Sequence, residues 1–117
     1  MANAGQVSFA AIAGGDKALA SSAINFATSG DNIVVAAGGT GKVNRVYRLF
    51  LVVGGATNIT FKRGATALSG PIPLPVSGAI TLDFEAEPWF ECADNEAFVV
   101  NSSAAVQVSG TIYFTQG

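Results

Sequence analysis

An all-β fold, an antiparallel β-sandwich or jelly-roll-like domain of about eight short strands, is what this sequence predicts. Three observations carry that reading. Apolar residues return at alternate positions in most segments, which is the period of a strand. Clusters of Gly, Asn, Asp, Ser and Pro punctuate the chain about every 8 to 12 residues. No segment shows convincing helical spacing. At 117 residues, 50% apolar and 12% charged, the chain reads as one domain over 1–117, with a short loose arm at 1–5. That length buries a sizeable core without help from metal or disulfide.

Taken in order, Gln6 to Ala11 alternates and reads as a first strand, ended by Gly14-Gly15-Asp16. Lys17 to Ala23 has poor helical spacing, so strand or loop is preferred. Ile24 and Phe26 flank Asn25 as in a strand, Ser29 to Asn32 reads as a turn, and Ile33 to Ala37 is a short apolar run. A long strand follows Gly41, a turn falls at Gly54-Gly55, and Thr57 to Arg63 alternates cleanly with Ile59 and Phe61 on one side. Gly64 to Gly70 reads as a loop. Pro71, Pro73 and Pro75 make the next stretch extended, and because proline donates no ladder bond they place it at a sheet edge or outside a sheet. Ser77-Gly78 turns into a strand with Ile80, Leu82 and Phe84 facing in. Ala97 to Val100 is a strand between an Asp94-Asn95 turn and an Asn101 to Ser103 turn. Ala104 to Phe114 is the last strand, where Gly110 interrupts the inward row and marks a bulge or a close backbone approach.

One stretch breaks the alternation. Leu49-Phe50-Leu51-Val52-Val53 is apolar on both faces of its strand. A strand with no polar face needs cover on both sides, from its own core and from a further layer or a second subunit. Charge is also segregated. Lys42, Arg45, Arg48, Lys62 and Arg63 fall within 42–63, and Asp83, Glu85, Glu87, Glu91, Asp94 and Glu96 within 83–96. Either these are solvated faces of neighbouring strands, or they are patches that meet between identical subunits. A net charge of −2 supplies no general basic field for nucleic acid or anionic membrane.

Catalytic and metal constellations are hard to find. With no histidine, the commonest general base and metal ligand is missing, so no enzyme is expected. Ala36 to Val43, AAGGTGKV, only faintly matches a phosphate-binding loop, lacking its first Gly and its Ser or Thr and leading into a strand. Glu85 and Glu87 share a face as a carboxylate pair might, yet neighbouring carboxylates on a solvated edge are far commoner. Glu91, Asp94 and Glu96 lack the spacing of a calcium loop. Asn58-Ile59-Thr60 and Asn101-Ser102-Ser103 fit a glycosylation pattern, which carries no weight without a secretory signal, and none is visible. Cys92 is the one cysteine, read as a buried thiol. No apolar run has membrane-spanning length. Tyr47 and Trp89 remain as candidate partner or ligand contacts, through ring stacking. No cofactor is expected.

The segments GKVNRVYRLFLVV, NITFKRGATALSGPIPL, GAITLDF, EPWFE and NSSAAVQVSGTIYF, in that order, resemble small β-sandwich virion proteins of tailed bacteriophages. The similarity spans about residues 31–115 and rests on Gly41-Lys42, Asn58 to Lys62, Leu68 to Pro71, Trp89-Phe90 and Ala105 to Gly110. The same sandwich serves head decoration (cement) proteins and parts of fibres and spikes. The chain lacks a long repetitive shaft, which suits a whole cement protein better than a fibre tip. The resemblance implies a homotrimer made in the host bacterial cytoplasm and carried on the virion capsid surface, with the phage major capsid protein as partner. On that expectation Phe50 and Val52 are covered by sister subunits. Arg45 and Arg48 face Glu85 and Glu87 of a neighbour, and the arm and loop tips touch the shell. The alternative is a receptor- or glycan-binding module of a tail fibre or spike.

Overall fold

The computed structural model describes residues 19–117. The expected first strand Gln6 to Ala11 and the arm at 1–5 lie outside the described residues. Among those described there are ten strands and no helix: β1 (Ala20–Phe26), β2 (Gly30–Val35), β3 (Asn44–Val53), β4 (Thr57–Arg63), β5 (Thr66–Ala67), β6 (Ile72–Leu74), β7 (Ala79–Leu82), β8 (Phe90–Glu91), β9 (Phe98–Ser102) and β10 (Val108–Gln116). They make two antiparallel sheets, consistent with a β-sandwich. The first runs β1-β10-β3-β7, with β8 also against β3, and the second runs β2-β9-β4-β5, with β6 also against β4.

The two inner faces supply the core. Leu49, Leu51 and Val53 of β3, with Val108 and Ile112 of β10, face Ile59 and Phe61 of β4 and Phe98 and Val100 of β9, all buried. The rings of Phe61, Phe90 and Phe98 meet with centroids 4.9, 5.5 and 6.1 Å apart, the tilted and offset contacts that aromatic quadrupoles favour. Cys92 is buried beside this cluster. Burial, with the neighbouring Glu96 carboxylate adding to it, pushes its thiol up to about 11.

The doubly apolar strand resolves into two roles. Leu49, Leu51 and Val53 point inward, and Phe50 and Val52 point outward with 39% and 43% of their surface exposed. Earlier in β3 the inward residues are Asn44 and Val46, so the pleat slips between Val46 and Leu49. The pairing with β10 locates the slip: Tyr113 lies opposite Arg48 and Phe114 opposite Val46, leaving Tyr47 as the extra residue of a bulge. Gly110 is the close approach the sequence signals. A Cβ there would stand 1.9 Å from the Phe50 carbonyl oxygen and 2.8 Å from Leu51 Cα.

The turn at Gly54-Gly55 carries the chain from the first sheet to the second, because β3 and β4 lie in different sheets. A side chain at Gly55 would press on Val106 Cγ1 at 2.7 Å. Several local readings need correction. Gly64 to Gly70 is not all loop: β5 folds back on β4 through Gly64, whose φ of 52° suits glycine. The turn at Ser29 to Asn32 is shorter than expected, because β2 begins at Gly30 with φ 91°. Strand β9 continues through Ser102, and β10 begins only at Val108. Phe84 does not face in. Strand β7 ends at Leu82, so its alternation no longer governs Phe84, which is 39% exposed and stacks on Tyr47.

Buried polar groups tie the ends of the sandwich. Asn44, 1% exposed, donates to the carbonyls of Ala36 and Glu96 and accepts from Gln116. Thr57 Oγ1 lies 2.8 Å from Ser102 Oγ and accepts from the Ala104 amide at 3.1 Å. Satisfied in this way, such groups fix register without the cost of an orphaned donor. The Thr115 hydroxyl is buried without a partner.

Candidate interaction surface

The two outer faces of the sandwich differ in chemistry. On the second sheet, Asp31, Asn101 and Thr60 form one row and Ile33, Val99 and Lys62 the next. Lys62 Nζ reaches both Asp31 oxygens at 3.0 and 2.9 Å, and Asn101 Nδ2 donates to Asp31 at 2.7 Å. The Asn101 hydrogen bond, then that from Lys62, hold the Asp31 carboxyl below its ordinary value. An amine, an amide and a carboxylate in contact could condense to a new amide with loss of ammonia, but that needs a neutral amine beside a protonated acid. Asp31 is ionised and its side chain 45% exposed, so the trio is a surface ion pair.

A pH effect follows. The folded Asp31 and Glu96 carboxyls titrate below their ordinary values of 3.8 and 4.5. Their contribution is therefore complete above those values and is lost as pH falls through the folded ones. Asp31→Asn is expected to melt slightly below wild type at pH 7 and to lose less stability between pH 5 and pH 3. Parallel melting curves across that range would contradict it.

The first sheet presents a different face. Its outward rows are Ser21, Tyr113 and Arg48; Ala23, Thr111, Phe50 and Thr81; and Asn25, Ser109, Val52 and Ala79. Arg48 is the one charged residue in these rows, and its guanidinium lies 5.4 Å from the Tyr113 ring centroid, a cation–π contact. The rest are small, hydroxylic or apolar. At one corner Tyr47 packs against Leu19 and Phe84.

The chain between β7 and β8 borders this face. Asp83, Phe84, Glu85 and Glu87 are exposed, and Trp89 is 44% exposed. The indole N–H of Trp89 donates to the Asp83 carbonyl at 2.6 Å and its backbone amide to Val46 at 2.7 Å. Those bonds fix the ring at the rim of a shallow cleft of about 410 Å³ lined by Glu85, Ala86, Glu87, Pro88 and Trp89.

The structure places the sequence-predicted site residues unevenly. Phe50, Val52 and Arg48 share the outer face, Glu85 and Glu87 line the adjacent cleft, and Trp89 stands at its rim. Tyr47 is corrected: at 3% exposure its ring cannot stack on a ligand, because the bulge tucks it under Leu19 and Phe84. Arg45 is engaged within its own chain. It lies opposite Glu91 in register and pairs with that carboxylate. Arg63 likewise pairs with Glu96 at 3.0 Å, so two of the five clustered cations meet clustered acids inside one molecule. Asn95 and Asp94 accept from the amides of Gly39 and Gly41 at 3.1 and 2.6 Å. These two amides of the glycine loop are therefore already engaged, where a phosphate would need free donors.

No protein-family model matches this chain, and no curated protein matches it either.

Proposed function

We propose that this chain is a structural virion protein, a capsid decoration (cement) protein that binds the outer head surface of a tailed phage as an oligomer and stabilises the shell. The observation that carries the reading is the outer face of the first sheet, nearly free of charge and exposing Phe50 and Val52 at 39% and 43%. The opposite face carries the Lys62–Asp31 ion pair and a single strongly exposed apolar residue, Ile33. Contiguous exposed apolar surface beside polar surface is the signature of an association site. The likeness to phage virion sandwiches supports the assembly, and implies three copies. Sister copies cover Phe50 and Val52, and the major capsid protein is the partner beyond them.

Solution mass, measured alone and after mixing with purified emptied heads, tests this. A stable oligomer that sediments with heads is expected. A monomer at micromolar concentration that ignores heads would overturn the proposal. Of the two arginines on β3, Arg48 is the one without an ion pair among the described residues, since Arg45 serves Glu91. Arg48→Glu is expected to weaken self-association, and Glu85→Lys with Glu87→Lys to restore it. Unchanged association would return these charges to solvent.

A second reading, a receptor- or glycan-binding module, rests on the exposed Trp89 ring above its acidic cleft. It expects Trp89→Ala to abolish adsorption to cells or glycans with fold and mass intact. Unaltered adsorption would remove it.

A further inference from the structure

The edges of the two sheets are guarded unequally. Among the described residues, the second sheet ends on one side at β2, which carries the charged Asp31 and a register shift between Ile33 and Val35. Its other side ends at β5, two residues long, and at β6, which holds Pro73 between Pro71 and Pro75. Charge, irregular register, shortness and proline are the devices that stop a bare edge from pairing with another chain. On the first sheet the β7 side is guarded only by shortness, four residues with the two-residue β8 and its charged Glu91 following along β3, and β1 uses none of these devices. Strand β1, Ala-Ser-Ser-Ala-Ile-Asn-Phe, has seven residues with no charge, no proline and an unbroken register against β10. Strand β7, Ala-Ile-Thr-Leu, is likewise uncharged and in unbroken register against β3. Both have one strand neighbour among the described residues.

We infer that the first sheet continues from one copy into the next, with β1 of one copy pairing antiparallel to β7 of its neighbour. The inference rests on the self-association of the proposed function and assigns its seam. Every strand of this sheet runs opposite to its neighbours, so β1 shares the direction of β3 and opposes β7. A sheet that simply runs on therefore makes the new pair antiparallel, with outward residues beside outward residues and the core faces aligned. No like charges meet, because neither strand carries any. The contact is head-to-tail: each copy offers β1 to one neighbour and β7 to the other, which closes a ring when the rotation closes. Phe50 and Val52, one and two strands in from these edges, then lie on a face shared around the ring.

Cysteine pairs test the seam. Ser21, Ala23 and Asn25 face outward on β1, Thr81 faces outward on β7, and all four are exposed. Directly opposed residues of an antiparallel pair lie about 4.5 to 5.5 Å apart at Cα, within disulfide reach. Three double variants, each joining Thr81→Cys to one of Ser21→Cys, Ala23→Cys or Asn25→Cys, cover the possible registers. The buried Cys92 thiol, pushed up to about 11, stays out of the reaction. Under mild oxidation at least one double variant is expected to give disulfide-linked chains up to the native ring size, and none of the single variants is. A β1 cysteine that links alone, in pairs, would mean β1 meets β1 across a twofold and overturns the inference. No link in any double variant, with the oligomeric mass unchanged, overturns it while self-association stands. A monomeric mass overturns both.

Discussion

Gly110→Ala is expected to cost about 3 kcal/mol, the upper end of what overpacking a finished core does, and to lower the melting temperature by roughly 15 °C. The reason is geometric. Gly110 lies between Ile24 and Leu51 in the middle of the first sheet. The atoms a methyl group would strike, Phe50 O at 1.9 Å and Leu51 Cα at 2.8 Å, are backbone. A side chain can rotate away from a clash, but a ladder strand cannot move without breaking its hydrogen bonds on both sides. Gly54→Ala is the control. Its nearest contact would be Gln107 Cβ at 3.4 Å, ordinary packing, and its cost should stay within about 0.5 kcal/mol. Thermal unfolding of both variants decides the matter, and a Gly110→Ala protein that melts with wild type would refute the argument.

Replacing Phe50 and Val52 together by Glu is expected to leave the fold intact and to abolish assembly. Both side chains stand on the outer face, with 39% and 43% exposed, so two carboxylates there remain in water in the isolated chain. In an assembly that covers the face, the same carboxylates are buried without partners. A loss of about 3 kcal/mol at such a centre is roughly a hundredfold in affinity. Sedimentation over a concentration series reads this directly, with circular dichroism confirming that the sheets persist. An unchanged mass would show that copies join without this face.

Much of the fold is legible in the sequence because strand period and turn chemistry are local. Strand β4 falls on Thr57–Arg63 as its alternation predicts. The prolines put β6 at the edge of its sheet, and the glycine in β10 marks a close approach. What stays hidden depends on partners far along the chain. The bulge at Tyr47 is fixed by Tyr113 and Phe114, and no residue near Tyr47 announces it. For that reason Tyr47 reads from sequence as a possible stacking group and is buried in the structure. The Arg45–Glu91 pair arises only because β8 lies against β3. Two Gly residues announce a turn but not that the next strand belongs to the other sheet. Of the candidate surface, the sequence marks Phe50 and Val52 as apolar on the second face of their strand. The contrast between the two sheet faces emerges only from the rows that pairing builds.

The place of β10 in the first sheet sets the order in which this molecule becomes competent. β10 is the latest of the strands, yet it lies between β1 and β3 and bonds to both, joining Ala20 to Phe114 and Val53 to Val108. Contacts so distant in sequence close slowly, since the loop entropy is spent before the contacts return it. Until β10 inserts, β1 lacks its one strand neighbour among the described residues, and the rows around Phe50 and Val52 are incomplete. On the proposed self-association, a nascent chain joins its siblings through this face only once its own sheet is complete. Under that proposal, folding and recruitment form a single timed event that keeps half-made copies out.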